Sequence, residues 1–309
     1  MINTPNHILQ RCKFCNANNP AVKYKLRSKL QVLMCASCGA HYTNQLDGIL
    51  SGGATESIAG RSITQEEYCY IDTQLQSNLG RYTSKSRLVS KYTSPDHIRL
   101  LDVGAGGGLF LSLMRVSGAT VFGIEPNPTR ITFAHERYGL DLCSQTIEEP
   151  YWQDNYKAYF DVITMWDVIE HVDSPVQLLE NAYNLLKPGG FLCIDTPARD
   201  GFYYRIGQAT YSLTGGRFPT FLNAMYTDER CGHKQILATR QLADLLVNRG
   251  LQIVDMEKCH ELSFPYKFYL KRLLKSQGVA SVIEPFVAAF FFISRIKNKM
   301  LLVARKKKQ

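Results

Sequence analysis

The stretch Arg99-Leu-Leu-Asp-Val-Gly104-Ala-Gly-Gly-Gly108 decides the fold, because a short apolar run ends there in a glycine-rich turn. A helical pattern follows at 109–116, and a second strand-like run at 120–125 ends on Glu125. A strand, a glycine turn, a helix and a strand ending in an acid are typical of a nucleotide-binding α/β unit. Glu125 lies 21 residues after Gly104, where a carboxylate can accept both ribose hydroxyl hydrogens of an adenosine cofactor.

The spacing of the glycines distinguishes between cofactor classes. The dinucleotide fingerprint G-x-G-x-x-G/A needs a small residue six positions into the motif, and counted from Gly104 that position is Leu109. The glycines stand instead at 104, 106 and 108. Asp102 directly precedes the loop and disfavours a dianionic ligand, because like charges repel. The loop therefore favours a cationic or zwitterionic ligand.

Strand-like and helical stretches alternate along the rest of the chain, which predicts a doubly wound α/β sheet. Seven strand-like runs lie at 99–104, 120–125, 142–146, 160–165, 190–196, 251–257 and 299–305. Helical patterns separate them, among others at 174–186 and 239–248. Ligands of such sheets bind at the carboxyl ends of the strands, so strand-end residues are the site candidates.

Four segments form a set. The first two are Asp102-Val-Gly-Ala-Gly-Gly-Gly108 and Gly123-Ile-Glu-Pro-Asn127. The others are Tyr159-Phe-Asp-Val-Ile-Thr-Met-Trp-Asp-Val-Ile-Glu-His-Val172 and Leu185-Leu-Lys-Pro-Gly-Gly-Phe-Leu-Cys-Ile-Asp-Thr-Pro197. Together they resemble the class I S-adenosylmethionine-dependent methyltransferases, over about residues 100–307. The resemblance implies a Rossmann-like seven-stranded sheet with an antiparallel last strand, S-adenosylmethionine as cofactor, and methyl transfer as the reaction.

The resemblance also implies a set of eight cofactor-binding residues. They are Asp102, Gly104, Gly106, Gly108, Glu125, Thr146, Ile147 and Trp166. The backbone of the glycines would approach the methionine part, Glu125 would hold the ribose, and Thr146 and Ile147 would flank the adenine.

Three side chains are candidates for the chemistry near the methyl group. Asp167 follows Trp166 on the methyl-proximal wall, and His171 and His233 are candidate bases for the acceptor's proton. Two alternatives stay open. His171 can be a structural residue that bonds neighbouring backbone, and His233 can be a cap or lid contact.

Four cysteines near the amino terminus form two Cys-x-x-Cys pairs, Cys12/Cys15 and Cys35/Cys38, with nineteen residues between the pairs. This spacing is typical of a closed tetrahedral zinc site on a β-ribbon, here with short strands at 22–26 and 30–34. Four thiolates leave no open position on the metal, so the zinc would be structural. His41 is a weaker fifth candidate and is expected at the surface.

Charge is concentrated at one end of the chain. The net charge is +9, which first suggests a nucleic-acid partner. Residues 264–309 carry eleven basic groups and one acid, whereas the preceding residues are close to neutral, so nucleic acid is disfavoured. Basic residues beside apolar clusters favour peripheral membrane contact through 264–309. The alternative is a core-packed helical insertion with a solvated tail.

Other features bear on the compartment. We expect no membrane-spanning segment, since the longest apolar run, 285–293, has nine residues and a span needs about 20. The amino terminus lacks the pattern of a signal peptide. Nine cysteines, an odd number, fit a reducing compartment. The expected location is the cytoplasm, with peripheral attachment to the inner face of the membrane as an option.

The predicted organisation is a zinc ribbon at 1–50, a linker with capping helices at 51–95, and a methyltransferase domain at 96–309. Two insertions interrupt that domain, an aromatic lid at 198–234, which could instead be a packed helix pair, and a basic, apolar segment at 262–298. The expected function is O-methylation of a sugar, glycan or lipid-linked precursor. The alternatives are an RNA or protein methyltransferase, or a non-catalytic zinc-ribbon interaction protein.

Overall fold

A computed structural model describes residues 10–46, 62–227, 232–262 and 265–308. Its amino-terminal part is an antiparallel ribbon of three strands, β1 (Ala21–Lys25), β2 (Gln31–Met34) and β3 (His41–Thr43). The two predicted strands correspond to β1 and β2, and β3 is an addition that pairs with β2. His41 is only 5% exposed, so its predicted surface position was wrong. The predicted linker lies largely in 47–61, outside the described residues.

Two helices precede the main sheet, α1 (Gln65–Ser77) and α2 (Leu79–Tyr92). A capping box starts α1, because Thr64 Oγ1 accepts from the Glu67 backbone N–H while the Glu67 carboxylate accepts from the Thr64 N–H. Ile71 and Leu75 form the buried face of α1, which packs with Leu109 and Phe133. The capping helices predicted within 51–95 therefore cover the end of the sheet that carries the glycine loop.

The main domain alternates strands and helices as the sequence predicts. Its first half contains β4 (Arg99–Val103), α3 (Leu109–Val116), β5 (Thr120–Ile124), α4 (Pro128–Tyr138), α5 (Pro150–Asn155), β6 (Phe160–Trp166) and α6 (Pro175–Leu185). The second half contains β7 (Leu186–Pro197), α7 (Phe202–Leu213), α8 (Thr220–Met225), α9 (Thr239–Val247), β8 (Leu251–Cys259), α10 (Tyr266–Leu274), α11 (Gln277–Ser294) and β9 (Lys299–Lys306).

The sheet has six strands in the described residues, in the order β5-β4-β6-β7-β9-β8. Strands β4 to β7 are parallel, and β9 runs antiparallel to both β7 and β8, so the antiparallel last strand was predicted correctly. The prediction of seven strands was wrong by one. Residues 142–146 contribute a single parallel bridge, Ile124 to Cys143, because the chain turns away after Cys143 towards α5.

Both insertions are helical. The lid segment contains α7 and α8, which matches the alternative of a packed helix pair, and Tyr204 and Leu222 of these helices pack against Tyr24 and Val32 of the ribbon. The basic, apolar segment forms α10 and α11. By length and composition α11 could cross a membrane, and 6% of it is buried, so it is not the core-packed insertion of the alternative. The nine-residue count misses this helix, because Glu284 bounds the apolar run at 285–293 without ending the helix, which begins at Gln277.

Candidate active site

The glycine loop joins β4 to α3 and is held against the end of β5. The backbone N–H groups of Gly104 and Ala105 both donate to the Ile124 carbonyl at 2.8 Å. Gly104 has φ +76°, and a Cβ there would lie 2.6 Å from Cγ2 of Val168. Only glycine combines that left-handed backbone with so close an approach, so the loop can bring its backbone against a ligand.

Glu125 closes the loop from the end of β5. Its side-chain oxygens accept from the Gly106 N–H at 2.7 Å and from the Asn127 N–H at 2.9 Å. The residue is 7% exposed, and burial raises the pKa of its carboxyl. The acid therefore stands beside the glycine loop, as ribose recognition requires.

Asp102 lies at the floor of the loop on β4. It is 2% exposed, and its Oδ1 accepts from the Thr164 hydroxyl of the neighbouring strand at 2.6 Å. Burial raises the pKa of Asp102 to about 7. A buried acid without an ion pair among the described residues suits a cationic ligand, which would stabilise its ionised form.

Trp166 ends β6 and faces the same region. Its ring packs edge-on against Phe110 with centroids 5.4 Å apart, and the Lys85 ammonium lies 4.7 Å from the ring centroid. The buried indole Nε1 has no hydrogen-bond partner among the described residues. Such an orphaned donor beside the glycine loop fits a site that a polar ligand completes.

Thr146 and Ile147 follow the Cys143 bridge next to the end of β5. The Glu125 N–H donates to the Cys143 carbonyl at 2.9 Å, which fixes this segment beside the ribose acid. Ile147 is 1% exposed and belongs to the main core. The segment is near the expected adenine position, and contact of these two residues with adenine stays a prediction.

The two candidate bases are in contact. The rings of His171 and His233 lie 4.8 Å apart between centroids, although the residues are 62 positions apart in the chain. His233 Nδ1 lies 2.6 Å from the Met225 carbonyl, which can only accept, so Nδ1 carries the proton and Nε2 the lone pair. Burial, and then the neighbouring His171, lower the pKa of His233 to about 4. His233 is therefore a neutral imidazole near pH 7.

Glu170 completes a cluster with the histidines. Its Oε2 accepts from the Thr196 hydroxyl at 2.9 Å, and its Oε1 lies 3.9 Å from His171 Nε2. Burial raises the pKa of this carboxyl well above its usual range. One ligand atom each from Glu170, His171 and His233 lies within 4.8 Å of the others, so the cluster could also hold a metal ion.

Asp167 belongs to a buried group of three cations and three anions. The cations are Arg81, Lys85 and Lys299, and the anions are Asp167, Asp195 and Glu261. The surrounding ammonium and guanidinium groups hold the pKa of Asp167 well below its usual range against the opposing effect of burial. A carboxylate held in this way is a poor proton acceptor, so the structure favours a positioning role for Asp167.

Sequence reasoning missed most of this ionic cluster. Arg81 and Lys85 are spaced i, i+4 on α2, which places them on one helix face, but nothing in the sequence shows that this face is buried. Glu261 and Lys299 come from segments separated by the insertion that contains α10 and α11. Their meeting follows from the antiparallel pairing of β8 with β9, which places Cys259 opposite Lys299.

The four predicted zinc ligands come together at one end of the ribbon. Cys12 Sγ lies 3.6 Å from Cys38 Sγ, and Cys15 Sγ lies 3.6 Å from Cys35 Sγ. All four sulfurs lie within 4.8 Å of one another. Sulfurs about 3.8 Å apart are expected around a tetrahedral zinc with bonds of about 2.3 Å, so the cluster fits zinc.

The fold is that of the S-adenosylmethionine-dependent methyltransferases. A profile of the family described as "Methyltransferase domain" matches residues 73–256. Because this match covers more than half of the chain, the chain belongs to that family.

Two curated relatives carry the name ubiquinone biosynthesis O-methyltransferase. The protein of Marinobacter nauticus is 30% identical over 166 residues, which is 51% of this chain and 65% of the relative. The protein of Actinobacillus pleuropneumoniae is 37% identical over 105 residues, which is 32% of this chain and 45% of the relative. The chain thus matches less than two thirds of either relative.

A solved structure supports the fold. A SAM-dependent methyltransferase of Archaeoglobus fulgidus aligns with a TM-score of 0.50 at 20% identity, over 77% of this chain and 99% of that one. At this identity the likeness shows the fold alone.

Proposed function

We propose that this protein transfers a methyl group from S-adenosylmethionine to a hydroxyl oxygen of a small, lipid-soluble acceptor. The observation that carries the proposal is that the glycine loop, Glu125 and the segment bearing His171 follow the carboxyl ends of parallel strands, with His171 in contact with His233. When bound, the cofactor supplies a sulfonium methyl that is already electrophilic. The protein then has to bind the cofactor and the acceptor, align them, and remove the proton of the acceptor hydroxyl.

The cofactor side uses the predicted residues. The backbone at Gly104, Gly106 and Gly108 would approach the methionine part, and Glu125 would bind the ribose hydroxyls. Asp102, buried and without an ion pair among the described residues, would face the positive charge of the ligand. Alignment of the reacting groups contributes roughly 7–11 kcal/mol in such reactions.

We assign the base to the His171–His233 pair, and His233 is tested first because its hydrogen bond fixes its tautomer. The Nδ1–H of His233 is fixed by the Met225 carbonyl, so the Nε2 lone pair can take the acceptor's hydroxyl proton as the new oxygen–carbon bond forms. The acceptor would enter under α7 and α8, which serve as the lid in this proposal. Asp167 would orient the wall near Trp166 through its ion pairs.

The names of the relatives favour a different acceptor from the one that the sequence predicted. Both are named for O-methylation in ubiquinone biosynthesis, and we therefore propose such an acceptor in place of the sugar or glycan of the sequence prediction. Ubiquinone is a lipid-soluble quinone, so a ring hydroxyl on an apolar carrier is the acceptor that these names favour. A lipid-linked acceptor remains part of the proposal, and with it attachment through 264–309 to the cytoplasmic face of a membrane. We also propose that the four-cysteine cluster holds a structural zinc.

A turnover assay with radiolabelled S-adenosylmethionine tests the function. We expect label in a prenylated catechol and none in sugars, RNA or protein of a cell extract. Label in RNA or protein alone would replace the proposal by its alternative. If calorimetry detects no cofactor binding, the non-catalytic alternative is correct.

The base is tested with His233→Gln, with His97→Gln as the control because His97 is exposed and lies before β4, at the opposite end of that strand from the glycine loop. We expect turnover to fall by about 10²–10⁴-fold with unchanged cofactor affinity. Full activity of His233→Gln together with a large loss in His171→Gln would move the role to His171.

A further inference from the structure

The helices α10 and α11 form a hairpin that leaves and rejoins the sheet at one place. It begins after β8 and ends before β9, and Cys259 and Lys299 at the two strand ends are paired. The Asn298 N–H donates to the Cys259 carbonyl at 3.0 Å, which ties the two ends of the hairpin together. Both ends of the hairpin therefore lie on the same side of the molecule.

One face of α11 is apolar and exposed. It consists of Val279, Val282, Phe286, Phe290 and Ile293, which are 48%, 68%, 73%, 56% and 77% exposed. Steps of three or four residues place these side chains in a single stripe along the helix. A contiguous exposed apolar stripe of this kind marks an interaction surface.

The opposite face of α11 is already occupied. Glu284 Oε1 accepts from the Lys267 backbone N–H at 3.2 Å, which turns the acid of this helix towards α10. The ring of Phe291 stacks on His260 and on Tyr266, with centroids 5.0 Å and 5.4 Å apart. These contacts fix the rotation of α11, so the apolar stripe faces away from the hairpin.

Basic side chains stand at both ends of the stripe. Lys271 lies in the last turn of α10, Lys275 follows that helix, and Arg295 and Lys297 follow the end of α11, all four exposed. An apolar stripe between basic groups is complementary to an anionic lipid surface, where acyl chains meet charged headgroups. A nucleic acid would match the basic groups but leave the apolar stripe in water.

We propose that the α10–α11 hairpin is an interfacial anchor that lies in one leaflet of an anionic membrane. α11 has 18 residues, about 27 Å of helix, which approaches the thickness of the hydrocarbon core. α10 has nine residues, about 14 Å, so it is too short to be the second crossing that a spanning hairpin needs. A hairpin that lies parallel to the membrane surface accommodates both helix lengths, because neither helix then has to cross the bilayer.

The anchor adjoins the acceptor side of the site. His260, at the base of the hairpin, packs against Tyr203 of the lid helix α7 with ring centroids 6.2 Å apart. The next residue, Glu261, pairs with Arg81 of the ionic cluster at 2.8 Å. A lipid-soluble acceptor could thus pass from the leaflet to the lid without crossing water; this inference rests on the proposed function.

Vesicle flotation of the full chain tests the anchor. We expect binding to vesicles of phosphatidylglycerol and phosphatidylcholine in equal parts, and weak binding to phosphatidylcholine alone. Phe286→Glu with Phe290→Glu should abolish binding, and Lys271→Glu with Lys275→Glu should lower it at least about tenfold. The control is Val116→Glu, which changes an apolar side chain on α3 that is 88% exposed, and it should bind as the wild type does.

The depth of α11 in the membrane is measured by the quenching of tryptophan fluorescence in Phe290→Trp by brominated lipids. The native Trp152 and Trp166 are only 2% and 6% exposed, so the new tryptophan reports the contact with lipid. Strongest quenching by bromines near the headgroups supports the anchor, and strongest quenching at the chain ends overturns it in favour of a span.

Equal, negligible flotation of wild type and both double variants also overturns the proposed anchor. If the wild type is then a dimer that the phenylalanine variant dissociates, the stripe is an interface between two copies. Flotation needs no turnover, so an inactive enzyme that floats disproves only the proposed function.

Discussion

Two buried acids, Asp102 and Glu125, stand at the ends of adjacent strands and differ in their partners. Glu125 accepts two backbone N–H groups, whereas Asp102 accepts one hydroxyl hydrogen from Thr164. Backbone donors stabilise a carboxylate and partly offset its burial, while Asp102 has less compensation. Asp102 is therefore the residue whose charge should respond most to a cationic ligand.

This difference predicts a pH dependence of cofactor binding. The pKa of Asp102 is raised to about 7, so below that pH a cationic ligand must displace its proton. The affinity for S-adenosylmethionine should rise by up to about tenfold per pH unit between about pH 5.5 and 7, and then level off. Calorimetry across this range measures it. Asp102→Asn should bind more weakly above pH 7 and show no slope, and a flat wild-type profile would refute the argument.

At the scale of elements, the glycine turn and the ribbon each depend on close backbone contacts. The turn is held by two hydrogen bonds to Ile124 and leaves no room for a side chain at Gly104. The ribbon is held to the main domain through β3, since Tyr42 pairs with Gln235 and Thr43 N–H donates to the Lys234 carbonyl at 2.8 Å.

Gly104→Ala should damage the turn. The added methyl group would meet Val168 at 2.6 Å on a backbone with φ +76°, so we expect a loss of about 1–3 kcal/mol in the free energy of unfolding, and weaker cofactor binding. Gly80→Ala is the matched control, because a Cβ there has nothing within 4 Å, and in helix α2 it should stabilise by about 0.4–1 kcal/mol. Urea denaturation compares the two, and equal effects would contradict the steric account.

Disruption of the proposed zinc site should affect the segment that contains Glu170 and Val172. The Gln235 side chain donates to the Val172 carbonyl at 2.9 Å, and the Lys234 N–H to the Glu170 carbonyl at 2.6 Å. Cys35→Ala should therefore release zinc, increase hydrogen exchange at these residues and lower turnover, with cofactor affinity little changed. Cys69→Ala, an exposed cysteine on α1, is the control. Unchanged exchange after metal loss would show that the ribbon is independent.

At the scale of the whole molecule, the ionic cluster connects α2 to four strands of the sheet. Its members come from α2, from β7 and β9, and from the residues just beyond β6 and β8. Three positive and three negative groups balance one another, and all of these side chains except Asp167 and Glu261 are almost completely buried. Because removing one partner of a buried pair leaves a charge uncompensated, the cluster should be sensitive to single substitutions.

Lys85→Met tests this balance. Lys85 pairs with Asp195 where both side chains are almost fully buried, so we expect a loss of about 3 kcal/mol; Lys299 remains beside Asp195 and limits the loss. Lys91→Met breaks a pair with Asp255 whose lysine is 61% exposed, and it should leave the free energy of unfolding nearly unchanged, because solvent screens that pair. Urea denaturation of both variants measures the difference. A similar loss in both would mean that burial of the cluster does not matter.

The sequence by itself determined the features that depend on local pattern. Glycine spacing, strand-end acids, the paired cysteines and the alternation of strands and helices are written in neighbouring residues. They predicted α3 at 109–116 and the convergence of the four sulfurs, whereas the antiparallel last strand was implied by the family resemblance. The prediction of a full strand at 142–146 was wrong, because an apolar pattern does not show whether a neighbouring strand pairs with the segment along its length.

Only the tertiary structure determined the contacts between residues that are far apart in the sequence. It placed His171 against His233, buried His41 beside Tyr204 and enclosed Asp167 among cations. It also left one face of α11 uncovered by the rest of the protein. Each of these depends on which surfaces of distant elements meet, and no local pattern encodes that choice. Periodicity states which residues share a face, whereas burial and charge environment follow from what covers that face.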